Sequence, residues 1–484
     1  MRLRWSRVNA RALRAAHLDA EGPADMTRVL IITGSPLGER MAGPAIRASA
    51  MARVLAGDGH DVVLATTAAL TQGAPQDGYA LTSLQPGDNA AFRVLEQASD
   101  VIVFQGHAME QFDALARTDR VVVVDAYDPM HLEMLEQGRE QPRATWNMMV
   151  RSRVALLNHQ LARADLVLCA SDRQRSFYLG QLAALGRISP TTYENDPNLE
   201  RLIAIAPFGL DDAPPQASRP AVRNVVPGID DATRLVIWGG GVYSWFDPLL
   251  LIRAVHALTK RRPTAALLFL GTRHPGQEPM GIVKESIDLA EQLGILGSGV
   301  IFNEEWVPYD ERGAFLLEAN AGVSTHHTHV ETEFSFRTRI LDYLWAGLPM
   351  VVTEGDSFAD LVRAEGLGIV VPAGDLDALT DALETVLYDE AFAKEAAARI
   401  AKVRERFLWA VTLEPLRRIA RDPRRAADVE AAGGREALAR AAVRLHEPEG
   451  RPGRGRDLRM VWHYLRNGGP REVIRRIRSR RSTR

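Results

Sequence analysis

Two cations stand where a helix resists them. The stretch from His326 to Pro349 reads as a strand ending in His326, a loop rich in His and Glu, then an apolar-periodic helix that carries Arg337 and Arg339 in its first turn. Gly347 caps that helix and Pro349 opens the next strand. Positive charge at a helix N-terminus opposes the helix dipole and costs about 0.3–1 kcal/mol per exposed group. A bound diphosphate would offset that cost. So would local pairing, of Glu333 with Arg337 at i,i+4 and of Asp342 with Arg339 at i,i+3.

A second anion-binding signal lies upstream. Gly239, Gly240 and Gly241 close an apolar strand and precede a helix. Glycines let backbone N–H groups approach a phosphate, and the following helix N-terminus favours negative charge. The alternative is a plain tight turn. The same two readings apply to Gly34 and Gly38, after the first strand of the chain. His107, and Asp128 with His131, follow two further apolar strands, where a cleft-facing role competes with surface or helix-capping duty. Ser171 opens a helix and reads as an N-cap.

These residues need a framework that brings strand ends together. The chain has 484 residues, 46% apolar and 25% charged, with a formal net charge of −2, which suits two globular domains and gives no sign of an acidic or basic partner. Its strands are short continuous apolar runs separated by helices, the pattern of parallel strands covered on both faces. The alternation runs from residue 27 to about 210, breaks over the proline-rich residues 211–232, and restarts. The expected fold class is therefore α/β, with two doubly wound Rossmann-like domains facing across a cleft. The expected boundaries are a disordered leader at 1–25, an N-terminal domain at 26–210, a linker at 211–232, and a C-terminal domain at 233–405. A helix over 406–435 is expected to pack back towards the N-terminal domain, followed by a basic tail at 436–484. In such sheets ligands sit outside the carboxyl ends of the strands.

The segment Ile340–Pro349, with its run Asp342-Tyr343-Leu344-Trp345-Ala346-Gly347-Leu348-Pro349, resembles the "LEAMACGLPVV" helix of family 4 GT-B glycosyltransferases. The architecture is similar over about 27–420. The motifs are strong over about 235–385, where the GTRHP loop, the WVPYDER segment and the GLP helix fall in family order. The resemblance implies a nucleotide-sugar donor and transfer with retention to a saccharide or lipid-linked acceptor, with the leaving phosphate helping to deprotonate that acceptor. Several segments look like a bacterial, especially actinobacterial, subgroup devoted to cell-surface polysaccharides.

By the same resemblance a Glu on this helix binds the ribose hydroxyls, and Asp342 occupies its place. A Glu eight residues earlier lies near the donor sugar. The register gives Phe334 here, with Glu333 one residue off and Glu331 as second candidate. The family's Arg and Lys after the first strand of the second domain are missing, and Arg253 lies well inside the following helix. Diphosphate charge must then come from Arg337 and Arg339, with Arg273 and Lys284 as further candidates.

His326, His327, His329, Glu331 and Glu333 could ligate a metal. Their spacing matches no closed zinc pattern, and the donor loops of this fold need none, so the expectation is no metal and no cofactor. Rival functions are a nucleotide-sugar 2-epimerase and a non-catalytic nucleotide-sugar binding protein; a dinucleotide oxidoreductase is disfavoured because neither domain shows GxGxxG with an acid on the next strand.

The single cysteine, Cys169, excludes an intramolecular disulfide. No apolar run reaches about 18 residues, and no secretory signal opens the chain. A cytoplasmic location is expected, with peripheral docking at the inner face of the membrane. The docking element would be residues 451–484, where twelve arginines face only Asp457 and Glu472, with Trp462 and Leu465 interspersed. A solvated tail is the alternative. No motif supports nucleic-acid binding.

Overall fold

The computed structural model describes residues 26–38, 41–71, 77–217, 219–272, 281–305 and 307–432. The leader at 1–25, Arg273 and the basic tail lie outside the described residues. By contact the chain divides after Ala427 into two compact units. Both sheets belong to the first unit.

The first sheet has seven parallel strands: β1 (Arg28–Thr33), β2 (Asp61–Thr66), β3 (Ala80–Ser83), β4 (Val101–Phe104), β5 (Val121–Asp125), β6 (Leu166–Cys169) and β7 (Ile203–Ile205), in the order β3-β2-β1-β4-β5-β6-β7. The second has six: β8 (Arg234–Gly241), β9 (Ala265–Gly271), β10 (Val300–Phe302), β11 (Ala321–Ser324), β12 (Met350–Thr353) and β13 (Gly368–Val371), in the order β10-β9-β8-β11-β12-β13. Both orders reverse direction beside the first strand of their sheet, which makes the doubly wound fold the sequence predicts. The central strands are buried along almost their whole length because helices cover both faces. β3 falls in a stretch that reads as a polar loop; it is a half-exposed edge strand with little apolar signal.

The predicted helix through Arg337 is split. A short helix, Val330–Phe334, ends at Ser335, and the main helix starts at Thr338. Arg337 is thus the N-cap residue, outside the helical dihedral region, and its side chain is free to turn back.

The chain passes between the domains twice, at 208–211 and at 407–409. The two crossings pair: Leu210 N–H donates to the Phe407 carbonyl at 2.7 Å, and Trp409 N–H donates to the Leu210 carbonyl at 3.0 Å. Beyond them, helix Glu414–Arg421 returns to the first domain, where Arg417 forks onto Asp58 at 2.6 and 2.7 Å and the Thr27 hydroxyl donates to the Ala420 carbonyl.

Candidate active site

A cavity of about 420 Å³ opens between the carboxyl ends of the two sheets, within the usual range of small-molecule sites. The second domain supplies Gly239–Gly241, Tyr243, Trp245, Thr272, Tyr309, Arg312, Arg337, Arg339 and Asp342; the first supplies Met41–Gly43, Ile46 and Glu133, and the crossing supplies Phe208–Leu210.

The glycine loop is held from below. The Tyr343 hydroxyl accepts the Gly239 N–H at 2.9 Å and donates to the Val323 carbonyl at 2.8 Å. Burial pushes this phenol up to about 12, so it stays a neutral donor. Gly240 sits at φ +88°, in the left-handed region that favours glycine. A Cβ on Gly241 would lie 2.7 Å from the Tyr243 ring. The Tyr243 ring in turn stacks on Trp245 at 4.7 Å.

Arg339 lies beside this loop. Its guanidinium covers the rings of Trp238 and Phe246, at 4.1 and 4.0 Å, and Nη2 donates to the Gly241 carbonyl at 2.9 Å. Its Nη1 is buried without a partner. Among the described residues no carboxylate lies within ion-pair distance of it. Burial lowers its pKa to about 10, which still leaves it charged at neutral pH. The rings supply the offset that its helix-terminal position requires, as desolvated cation–π contacts reach about 2 kcal/mol.

Arg337 is offset differently. Its Nη1 and Nη2 donate to the two carboxylate oxygens of Glu331, at 3.0 and 2.7 Å, while Nε has no partner. The alternative local pairs do not form. Glu333 is exposed and does not line the cavity, and Phe334, at the family register, packs on Phe177 at 4.7 Å. Asp342 takes Arg312 as its partner in place of Arg339: Arg312 Nε donates to Asp342 Oδ1 at 2.9 Å.

The remaining candidates scatter. Lys284 is exposed on helix Gly281–Gln292, pairs with Asp288 at 2.6 Å, and is absent from the cavity wall; a lysine one turn from an aspartate finds that partner before a distant cleft. Gly34 is exposed and Gly38 buried, and neither lines the cavity, because the chain after β1 presents the start of helix Gly43–Gly57. His107 lies off the wall, its Nδ1 3.1 Å from Glu110 and 3.2 Å from Arg153. Asp128 is half-buried, does not line the cavity, and lies beside Glu133, which does. Burial, reinforced by the Glu331 charge, pushes the Asp128 carboxyl up to about 7, and burial also raises Glu133 well above the usual carboxylate range.

The histidines have structural partners. His326 Nε2 lies 3.0 Å from the Glu354 carbonyl, His327 Nδ1 lies 3.7 Å from Asp247, and His329 caps helix Val330–Phe334 by accepting the Thr332 N–H. No group of three His, Cys, Asp or Glu is placed to hold a metal ion among the described residues. Ser171 accepts the Gln174 N–H at 3.2 Å as N-cap.

Sequence reasoning missed Arg312, Tyr243 and Glu133. Arg312 was visible as the one cation of the WVPYDER segment, but nothing in the sequence pairs it with Asp342, thirty positions away.

Comparison with known proteins gives the same class. Residues 224–389 match the family model described as "Glycosyl transferases group 1". A phosphatidyl-myo-inositol mannosyltransferase of Mycobacterium leprae (strain TN) is 32% identical over 85 residues, which span 18% of this chain and 23% of that relative. Among solved structures, WaaG, a glycosyltransferase of lipopolysaccharide biosynthesis, superposes with TM-score 0.56 at 17% identity, covering 81% of this chain and 98% of its own. Anabaena Alr3699/HepE in complex with UDP-glucose superposes with TM-score 0.57 at 16% identity, covering 81% and 99%.

The paired doubly wound sheets, with the ligand-sized cavity at their facing strand ends, have the GT-B fold of these glycosyltransferase structures. More particularly, the match to the glycosyl transferases group 1 model falls on the second sheet.

Proposed function

We propose that the protein moves a sugar from a nucleotide-sugar donor to a saccharide or lipid-linked acceptor, with retention of anomeric configuration in the manner of family 4. The observation that carries this reading is Arg339: a buried cation on the cavity wall beside the Gly239–Gly241 loop, with Nη1 unpartnered and no carboxylate to neutralise it among the described residues. A buried donor without an acceptor costs about 1–3 kcal/mol, and an incoming phosphate oxygen would restore that bond.

Breaking the sugar–phosphate bond builds negative charge on the diphosphate. Arg339, Arg337 and the amides around Gly240 would be preorganised for that charge and would stabilise it without a metal or other cofactor. Asp342 would take the ribose hydroxyls. The acceptor would enter against Met41–Ile46 and Glu133, so the attacking hydroxyl meets the donor at the domain boundary. Glu331 supports this indirectly, by holding Arg337.

The test is a thermal-shift panel of UDP-, GDP- and TDP-sugars, led by UDP-glucose, followed by donor hydrolysis on any hit. Stabilisation by one nucleotide class, lost in Arg339→Ala, supports the reading. Absence of any shift with all three classes would sink it. Turnover of the donor into an epimer without acceptor would favour the 2-epimerase instead.

Among the described residues no helix is long and apolar enough to cross a membrane. A lipid-linked acceptor would then require reversible docking at the inner face of the membrane, and residues 451–484 are the proposed element, since arginines near an anionic surface contribute about 1 kcal/mol each. Truncation after Gly450 should keep donor hydrolysis and reduce sedimentation with anionic liposomes at low salt.

A further inference from the structure

A string of alternating charges runs from the first domain to the cavity. Arg53, on helix Gly43–Gly57, donates to Asp211 at 2.6 Å. Asp211 lies 4.0 Å from Arg312 Nη2, beyond hydrogen-bond length but close enough to attract it. Arg312 Nε then donates to Asp342 Oδ1 at 2.9 Å, and Asp342 lines the cavity.

Arg312 is clamped. Its guanidinium lies 3.5 Å from the Tyr309 ring centroid and 4.2 Å from that of Trp345, and Nη1 donates to the Tyr309 carbonyl at 2.6 Å. A planar fork held on its faces and edge cannot swing, so it dictates where the carboxylate it grips must point. Asp342 Oδ1 is engaged. Its Oδ2 has no hydrogen-bond partner among the described residues.

The two ends of the string belong to different bodies. The linker from 213 to 223 is fastened to the second domain: Trp345 Nε1 donates to the Ala213 carbonyl at 2.7 Å, and Glu318 accepts the N–H groups of Ala221, Val222 and Arg223 at 2.8, 3.1 and 2.5 Å. Asp211 lies just before that fastening, at the crossing, and is bonded to the first domain through Arg53. The Asp211–Arg312 approach therefore joins a residue bonded to the first domain with one that belongs to the second.

We infer that Arg312 is a positioning residue: it holds Asp342 with one oxygen directed to the ribose hydroxyls of the nucleotide, and through Asp211 it makes that orientation depend on the contact between the domains. This rests on the reading of Asp342 as the ribose-facing group. A merely structural Arg312 would support folding and nothing more. A positioning Arg312 also sets how strongly the site tells a ribose from a deoxyribose.

The experiment is calorimetric titration of the full-length protein with UDP and GDP, and with the 2′-deoxy and 3′-deoxy forms of whichever binds. Inorganic pyrophosphate serves as a probe that carries no ribose. Wild type should prefer the ribonucleotide by about tenfold or more, the scale of leaving one buried polar group unpaired. Arg312→Gln should bring that ratio near one, a loss beyond any general weakening that pyrophosphate also reads, and Arg312→Lys, which keeps the charge, should recover part of it. Asp211→Asn, which leaves Arg312 and Asp342 intact, should lower the ratio by about threefold, and it serves as the independent variant where Arg312→Gln fails to fold. A wild-type ratio retained in both Arg312→Lys and Asp211→Asn overturns the inference alone. A wild-type ratio of one, or no nucleotide binding, overturns the ribose reading of Asp342 and the inference with it.

Discussion

Arg337 and Glu331 form a two-point pair, at 3.0 and 2.7 Å, six residues apart across the break between two helices. Both side chains are almost wholly buried, at 6% and 1% exposed. The pair exists because Ser335 ends one helix and Arg337 caps the next, so the side chain folds back where an uninterrupted helix would carry it forward. Glu331→Gln should therefore release Arg337 and lower turnover more than it lowers affinity for the free nucleotide. Equal losses in kcat/KM and in nucleotide affinity would argue against a role confined to the transition state.

Arg339→Ala or Arg337→Ala should lower donor turnover by about 10²–10³, the scale of losing one charge stabiliser at a developing oxyanion. Single-turnover donor hydrolysis reads the chemical step. A variant within about threefold of wild type would remove that arginine from the site.

Asp342→Ala should weaken binding of the free nucleotide and leave the fold intact, since its side chain is 29% exposed and its loss opens no sealed core. Calorimetry with the nucleotide measures the first, and circular dichroism the second. Unchanged affinity would exclude Asp342 from the ribose site.

The Asp128 carboxyl ties stability to pH. Its folded pKa, about 7, is above the ordinary aspartate value of 3.8, with burial as the main cause. The native state thus holds a proton that the unfolded chain has lost between about pH 4 and 7, and stability falls as pH rises through that window. The Tm of wild type should drop relative to Asp128→Asn as pH rises from 5 to 8, followed by calorimetry in matched buffers. A Tm difference that does not change with pH would show that Asp128 ionises normally.

Arg47 and Asp125 are both fully buried, and Arg47 also donates to the Ala206 and Pro207 carbonyls. These bonds fasten helix Gly43–Gly57, whose first turn lines the cavity, to the end of β5 and the loop after β7. Arg47→Met leaves the Asp125 charge in the core with only the Gln105 amide, which donates to Oδ2 at 2.8 Å, and should cost about 3–5 kcal/mol. Denaturant unfolding measures this, and a loss under about 1 kcal/mol would show that the carboxylate is relieved by water or protonation.

The amino-acid order alone determined the two parallel sheets, because strands buried on both faces must be continuously apolar and the helices between them must not be. It also singled out Gly239–Gly241, Arg337 and Arg339, since glycines at a strand end and cations at the wrong end of a helix violate local preference and so point beyond local structure. Which partner each charge meets was decided only by tertiary structure. Glu331 displaced Glu333 because the helix breaks at Ser335. Arg312 reached Asp342 because β11 stands next to β8, which brings the helices flanking β11 together beside the cavity. Asp128 met Glu133 beside the cavity, a meeting that no spacing announces. Lys284 was lost to Asp288, one turn along its own helix. Pairing energies act over a few ångströms, and the distances that select among them are set by strand order and helix breaks, which no local pattern encodes.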